Sequence, residues 1–528
     1  MSLRNLIFLP FVLLTIALLG SCGSSTLPKS NPQGFSVSSL SGSYVFSSIG
    51  ADSNGNFLTM AGALVANGSG SITGGTMDVI DSGFTPAAPV AQPITSGSYT
   101  VGTDGRGRVT LTSSVGTITL EFVLIPGSAG PSSVSPHGLI SEFDSNGTGS
   151  GTLDLQTAIT SQGQLAGPYA LSLGGIDSNF DNFASTGAFA IDTTGTMTGG
   201  VEDFNAGGTI YAAQTLTGSA IIGSGTAPGS ITLTTPSFPL TFDFYPIDTT
   251  HWKLIETDFT EILAGDVFTQ TGASIPTGPM VFSMSGGTTG PIAVGGLMIS
   301  SGDGNFTGGL EDVNNAGTLS PAQVPFSGSP ASPFGFGGRA IINLTGFDPA
   351  IQWVVYPTLN GGLLMMETDG LNVMEGNGYL QSATSFSAGS SVGYGFNLTG
   401  ASPVSLVDDI AQFNASTGTS NNIAGVLGEN DQGSLVLNLR LSGTYTPDSP
   451  ASGRGSLLVP SLGTPLGGLS LEYYVVDSST VIFIEADTQQ VGVGTFEMQG
   501  SVQSGAQSHF ITWAARASAR GGSKLRRK

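Results

Sequence analysis

Charge is scarce in this chain. Asp, Glu, Lys and Arg make up 9% of its 528 residues, against roughly 25% in an ordinary soluble protein. Scarce charge does not mean disorder, because disordered chains combine low hydrophobicity with high charge. Here 39% of residues are hydrophobic and mean hydropathy is +0.21, so the chain is expected to fold. A single cysteine, Cys22, excludes any disulfide within the chain. Only three histidines occur, His137, His251 and His509. They are read as a turn, a strand start and part of the C-terminal tail; none has metal-ligand spacing and none recurs between repeats. That argues against familiar metal or histidine chemistry. Also missing from the body is a sustained apolar stripe of period 3.6, so helices are not expected there.

What is present is repetition. Glu-x-Asp closes an apolar run at Glu142/Asp144, Glu256/Asp258, Glu367/Asp369 and Glu485/Asp487, and a Gly-rich stretch then leads to Gln156, Gln270, Gln381 or Gln499. The copies start at Gly42-Ser43-Tyr44, Gly167-Pro168-Tyr169, Gly278-Pro279-Met280 and Gly393-Tyr394-Gly395. A unit of about 110–125 residues is too long for a solenoid repeat and suits a self-contained domain. The expected organisation is a signal peptide at 1–21, a lipidated Cys and flexible tether at 22–38, and repeats at 39–160, 161–272, 273–384 and 385–500. A basic tail follows at 501–528.

The second copy shows the strands most clearly. Leu240, Phe242 and Phe244 share one face of a segment whose other face carries Thr241, Asp243 and Tyr245. Asn67-Gly68, Asp104-Gly105, Asn146-Gly147, Asp303-Gly304 and Asn360-Gly361 supply turn chemistry. Eight strands per copy are predicted, joined mostly by short hairpins. A meander of this kind leaves two open edges unless its last strand pairs with its first. The fold class is therefore all-β, with four tandem eight-stranded up-and-down β-barrels. Immunoglobulin-like β-sandwiches of about seven strands are the alternative. In strand count and connectivity the units resemble avidin- or lipocalin-type barrels, without a signature motif of either. The repeat, written Leu-x-Gly-x-Tyr, Gly-Gly-x-x-Asp, Glu-x-Asp, resembles uncharacterised tandem repeats of exported bacterial proteins.

The N-terminus reads as an export signal: Arg4, then the apolar stretch Leu6 to Leu19, too short for a comfortable membrane span. Leu19-Gly20-Ser21-Cys22 resembles the lipobox of bacterial lipoproteins. That resemblance implies cleavage before Cys22, lipidation there, and a membrane partner reached through the lipid. Gly23 lacks the Asp that marks inner-membrane retention in such lipoproteins, which favours the outer membrane or cell surface. The tail carries Arg516, Arg520, Lys524, Arg526, Arg527 and Lys528 and no acids, while the repeat region carries about −30 of formal charge. An acidic body would repel phosphate, so no nucleic-acid partner is expected.

Recurrent acids are the candidates for chemistry. The third strand of each copy carries Asp78, Glu202-Asp203, Glu311-Asp312 or Glu429 and Asp431, and the seventh carries Glu-x-Asp. Both sets fall late in their strands and are expected to gather at one rim. Asp203, Glu256, Asp258, Asp312, Glu367 and Asp369 are thus candidates for holding a cation there. Equally, carboxylates at strand ends keep a low-charge surface soluble and discourage edge pairing. Arg106, Arg339 and Arg454 open the fifth strand in three copies, at the opposite rim, with Gly229-Ser230 in the second. Contact with a neighbouring barrel or with loop carbonyls suits them better than catalysis. Asp52-Ser53-Asn54-Gly55-Asn56 starts like a calcium loop but has Ala63 where the twelfth-position Glu belongs. Gly389-Ser390-Ser391-Val392-Gly393 matches a hydrolase elbow but sits in a linker. The expectation is a non-catalytic, lipid-anchored envelope protein with a structural or adhesive display role, no cofactor, and an envelope polysaccharide or surface partner. The alternative is a binder of small ligands or cations in barrel interiors or at acidic rims, and a carboxylate-dependent hydrolase is a distant third.

Overall fold

Alternation becomes an inside and an outside. Along Pro239–Pro246, Leu240, Phe242 and Phe244 enter an apolar core with Trp252 and Leu254, while Asp243 and Tyr245 face away from it. The computed structural model describes residues 33–500, apart from 85–89, 271, 273, 321–322, 332, 348–349, 390–391, 419 and 465–466. Cys22, the basic tail and the middle of Gly389–Gly393 therefore lie outside the described residues.

Four antiparallel barrels follow one another along the chain, each closed by its own first and last strands. Ser41–Asp52 pairs with Gly147–Leu155 in barrel I, and Gly167–Ile176 with Ile262–Thr269 in barrel II. Thr277–Gly286 pairs with Met374–Leu380 in barrel III, and Gly393–Ala401 with Val491–Met498 in barrel IV. Successive strands pair with their neighbours, so the meander holds and the sandwich alternative does not. Barrel II has a split fourth strand: Thr209–Thr215 pairs with Met197–Ala206, and Thr217–Ile221 pairs with Gly229–Thr234. Closure there passes through a bridge between Thr196 and Ser219 and the Leu216 N–H to Gly200 carbonyl bond.

Turn chemistry works mostly as expected. Gly105 sits at φ +82, a conformation that a side chain would strain. Gly147 does not adopt positive φ; there Asp144 takes the Asn146 N–H at 2.8 Å and shapes the turn instead.

The barrels are not beads on a string. Numbering strands one to eight in each barrel, the first three of one pack on the last three of the next. Strands one to three of barrel IV pack in the same way on strands six to eight of barrel I, so the four close into a ring. Small residues permit the approach: a Cβ on Gly295 of barrel III would lie 2.4 Å from the ring of Tyr474 in barrel IV. Some of the abundant glycine thus serves the contacts between barrels, as at Gly295, Gly395 and Gly428, and more of it serves turns and close strand approaches within each barrel.

Candidate functional site: seams, buried acids and an open mouth

The third-strand acids divide between two environments because neighbouring side chains on a strand face opposite ways. Glu202 and Glu311 point into their barrels, where burial first, then the adjoining Asp203 or Asp312 charge, pushes them up to about 7 and about 8; a hydrogen bond from Ser185 only partly relieves Glu202. Asp203 and Asp312 point outward into the seams. Asp203 is fully buried and accepts Arg339 Nε and Nη2 at 2.6 and 2.5 Å, with Tyr356 Oη at 2.5 Å. Asp312 accepts Arg454 Nε and Nη2 at 2.7 and 2.9 Å and Tyr474 Oη at 2.6 Å. These two candidates are therefore not at an open rim. The opposed-rim expectation described one barrel in isolation. Between barrels the fifth-strand arginines reach the third-strand acids of the preceding unit, and the acid and base sets meet there.

The remaining seams keep the plan with substitutions. Between barrels I and II, Tyr245 donates to Asp78 at 2.6 Å, but no arginine joins them and Asp243 stands beside Asp78. Burial pushes both carboxyls up, Asp243 to about 7 with the Asp78 charge as second cause, so the pair is held together by a proton. Between barrels IV and I, Gly428 and Val123 take the places of Asp and Tyr, and Val123, Leu139, Phe143 and Ile410 form an apolar contact. Arg106 turns to Asp104 of its own barrel at 2.9 Å.

Amides complete the seams. Gln156 donates to the Pro246 carbonyl, Gln270 to Gly337 and Pro357, Gln381 to Ser452 and Val475, and Gln499 to Asp104 and Leu124. Asn205, Asn314 and Asn430 reach backbone carbonyls of the next barrel likewise. The glutamines are visible as a repeat in the sequence. Their role, and that of Tyr245, Tyr356 and Tyr474, is not, because outward-facing polar residues look solvent-exposed until a neighbour is known.

The seventh-strand glutamates all point inward. Glu256 and Glu367 are each pushed up to about 9, by burial first and then by the Asp258 or Asp369 carboxyl that each hydrogen-bonds. Asp258 is exposed. Burial works against its charge, yet hydrogen bonds from Glu256 and Thr260 outweigh it and hold the carboxyl low. Asp258 and Asp369 also accept strand-six N–H groups, of Thr241 at 2.5 Å and Gln352 at 3.0 Å. The candidate pairs are thus proton-sharing locks that tie the end of strand seven to strand six. Among the described residues, no group of three or more His, Cys, Asp or Glu is placed to hold a metal ion.

Two histidines need correcting. His137 and His251 occupy the same position, opening strand seven in barrels I and II, so histidine does recur between copies. The equal five-residue distance back from Glu142 and Glu256 carries that signal in the sequence. His137 lies 2.6 Å from Asp154 and 3.6 Å from Glu497 of barrel IV; burial opposes its charge, but the two carboxylates outweigh it and raise it to about 10. His251 and Lys253 both meet Asp266, at 2.6 and 2.8 Å, and Ser172 donates to Glu375 of barrel III. All four barrels contribute to these buried polar contacts, which link their outer faces.

Each barrel has its own apolar core, and barrel I has in addition a cavity of about 440 Å³ lined at one end by loop residues such as Asp52, Ser53, Asn54 and Asn146. Apolar Leu58, Met60, Val79 and Ile118 line it together with Asp81 and Glu142.

No family model and no curated protein matches the chain. Among solved structures, it is similar to a double mutant of transferrin binding protein B from Haemophilus parasuis, at 10% identity and TM-score 0.20, over 72% of this chain and 85% of that one. Kievitone hydratase from Nectria haematococca aligns at 10% identity and TM-score 0.18, over 65% and 91% of the two chains. The alcaligin outer-membrane receptor FauA from Bordetella pertussis aligns at 7% identity and TM-score 0.12, over 87% and 76%. Likenesses this distant say nothing about what the ring does.

Proposed function

We propose that the chain is a lipid-anchored, non-catalytic envelope protein whose ring of barrels serves as a rigid structural or adhesive display. Ring closure is the observation that carries this reading. Strand-end glutamines bond across every seam, and two of the seams are further held by a buried Asp–Arg–Tyr set. The buried histidines and Lys253 are enclosed with carboxylate partners, an arrangement suited to cohesion more than turnover. A preformed rigid surface loses little entropy when a polysaccharide or protein docks on it. The Cys22 context supports an anchor that leaves the ring on a tether at the outer membrane or cell surface.

The anchor is tested by growing cells with labelled palmitate and fractionating their envelopes. The native chain should carry label and sediment with membranes, and Cys22→Ala should lose the label and leave the processed lipoprotein fraction. Unlabelled native protein would refute the anchor.

A further inference from the structure

The cavity of barrel I exists because its plug is missing. Register aligns Leu58 with Phe183, since Gly50 pairs with the first and Gly175 with the second. Val79 follows Asp78 as Phe204 follows Asp203. Leu120 faces Glu142 as Phe242 faces Glu256, which puts Gly116 where barrel II has Phe238. In barrel II those three phenylalanines form one aromatic cluster with Tyr211: Phe204 stacks on Tyr211 at 4.7 Å and on Phe183 at 5.7 Å, and Phe238 meets Phe204 edge-on at 5.0 Å. They seal the mouth. Smaller residues at the same stations in barrel I leave a hollow of about 440 Å³, within the ordinary range of about 300–1,000 Å³ for small-molecule sites.

The walls define what fits. Leu58, Met60, Val79 and Ile118 present hydrocarbon, and Phe84 at the entrance is 55% exposed. Its ionisable groups are all carboxyls: Asp52, Asp81 and Glu142 line the hollow beside the neutral Ser53, Asn54, Thr117 and Asn146, and no Lys or Arg is among the described lining residues. Asp52 is occupied by its own loop, accepting the Asn54 and Asn56 N–H groups. Asp81 takes the Gly83 N–H at 2.6 Å and otherwise faces the hollow. Burial, with the Asp52 charge as a further cause, pushes Asp81 up to about 6, so a cation beside it would relieve a strained charge. An anion would meet these carboxyls with no cationic side chain among the described lining residues to offset them.

We propose that the mouth of barrel I binds a small organic cation, an apolar body about the size of a phenyl ring and short chain carrying one ammonium or guanidinium beside Asp81. This site goes beyond the display role, and its failure would leave the ring reading untouched.

The test is calorimetric titration of the full chain in mild detergent with 4-phenylbutylammonium, 4-phenylbutanol and 4-phenylbutyrate, each blanked against detergent alone. The cation should bind at least tenfold tighter than the alcohol, and the carboxylate should give no signal. Val79→Phe, which supplies barrel II's plug, should abolish binding of both. Asp81→Asn should leave alcohol binding in place and erase the preference for the cation, which decides the matter if the larger substitution misfolds. Equal affinity for the three probes, no binding of any to the native chain, or undiminished binding in a folded Val79→Phe protein would overturn the site.

Discussion

Asp203 shows how one residue can hold two domains. Its carboxylate is fully buried between barrels II and III, with two guanidinium hydrogen bonds and a phenol satisfying its oxygens. Such a group is costly to desolvate, and its value lies in being matched. Removing one partner from a buried pair typically costs about 3–5 kcal/mol, because the other charge stays buried alone. Arg339→Met should therefore destabilise the chain by about that amount. The triple variant Asp203→Leu/Arg339→Met/Tyr356→Phe should recover most of the loss. Urea denaturation of the single and triple variants measures both. An Arg339→Met protein as stable as the native chain would mean the seam does not depend on this pair. The recurrence of Arg339 and Arg454 was legible from sequence, whereas their partners were not. An arginine's neighbour more than 130 residues away leaves no local trace.

At the scale of the element, strand seven ends each barrel's apolar run with an inward-facing glutamate, and burial pushes the carboxyls of Glu256, Glu367 and Glu485 up. Glu256 and Glu367 lie near 9 in the folded protein, Glu311 near 8, and Glu202, Asp243 and Glu375 near 7, burial being the first cause throughout. In the unfolded chain such carboxyls lie near about 4. Between about pH 4.5 and 9 the folded state therefore holds protons that the unfolded state has released, and stability falls as pH rises. Below that window these groups add no further change. Asp154, held down to about 2 by His137 against the opposing effect of burial, loses its contribution as pH falls through the acid range. Stability should accordingly peak near about pH 4–5. The melting temperature, followed by circular dichroism, should be several degrees higher at pH 5 than at pH 8, and Glu367→Gln should shrink the difference. A flat or rising profile across that interval would contradict the buried-acid reading. The strands themselves were readable because alternation such as Leu240, Phe242 and Phe244 reports an inside directly. Glu256 was placed on its strand but read as part of a rim, because a charged residue in a pattern is taken for surface until burial is known.

The molecule as a whole is a ring because its last barrel repeats toward its first what every barrel does toward the next. Gln499 donates to the Asp104 and Leu124 carbonyls as Gln270 donates to those of Gly337 and Pro357, and Asn430 reaches Glu142 and Gly147. Covalent order supplies three of the four connections, so the seam between barrels IV and I rests on noncovalent contact alone. That seam has exchanged Asp and Tyr for Gly428 and Val123, adding an apolar cluster and bonds from Thr148 and Ser150 to Asp408, both at 2.6 Å. If contact suffices there, it should suffice elsewhere. A protease site placed in the exposed stretch between Ala158 and Ser161, in the linker from barrel I to barrel II, should be cut without dispersing the particle, because barrel I remains held by both seams. On size exclusion the nicked chain should elute with the intact one, the two pieces separating only under denaturant. Truncation after residue 384 should behave differently. It leaves Val123, Leu139 and Phe143 uncovered at one end and the strand-one-to-three face of barrel III at the other, two faces built to meet barrels, so the fragment should self-associate. A nicked ring that falls apart would show that the peptide links, and not the seams, hold the four barrels together.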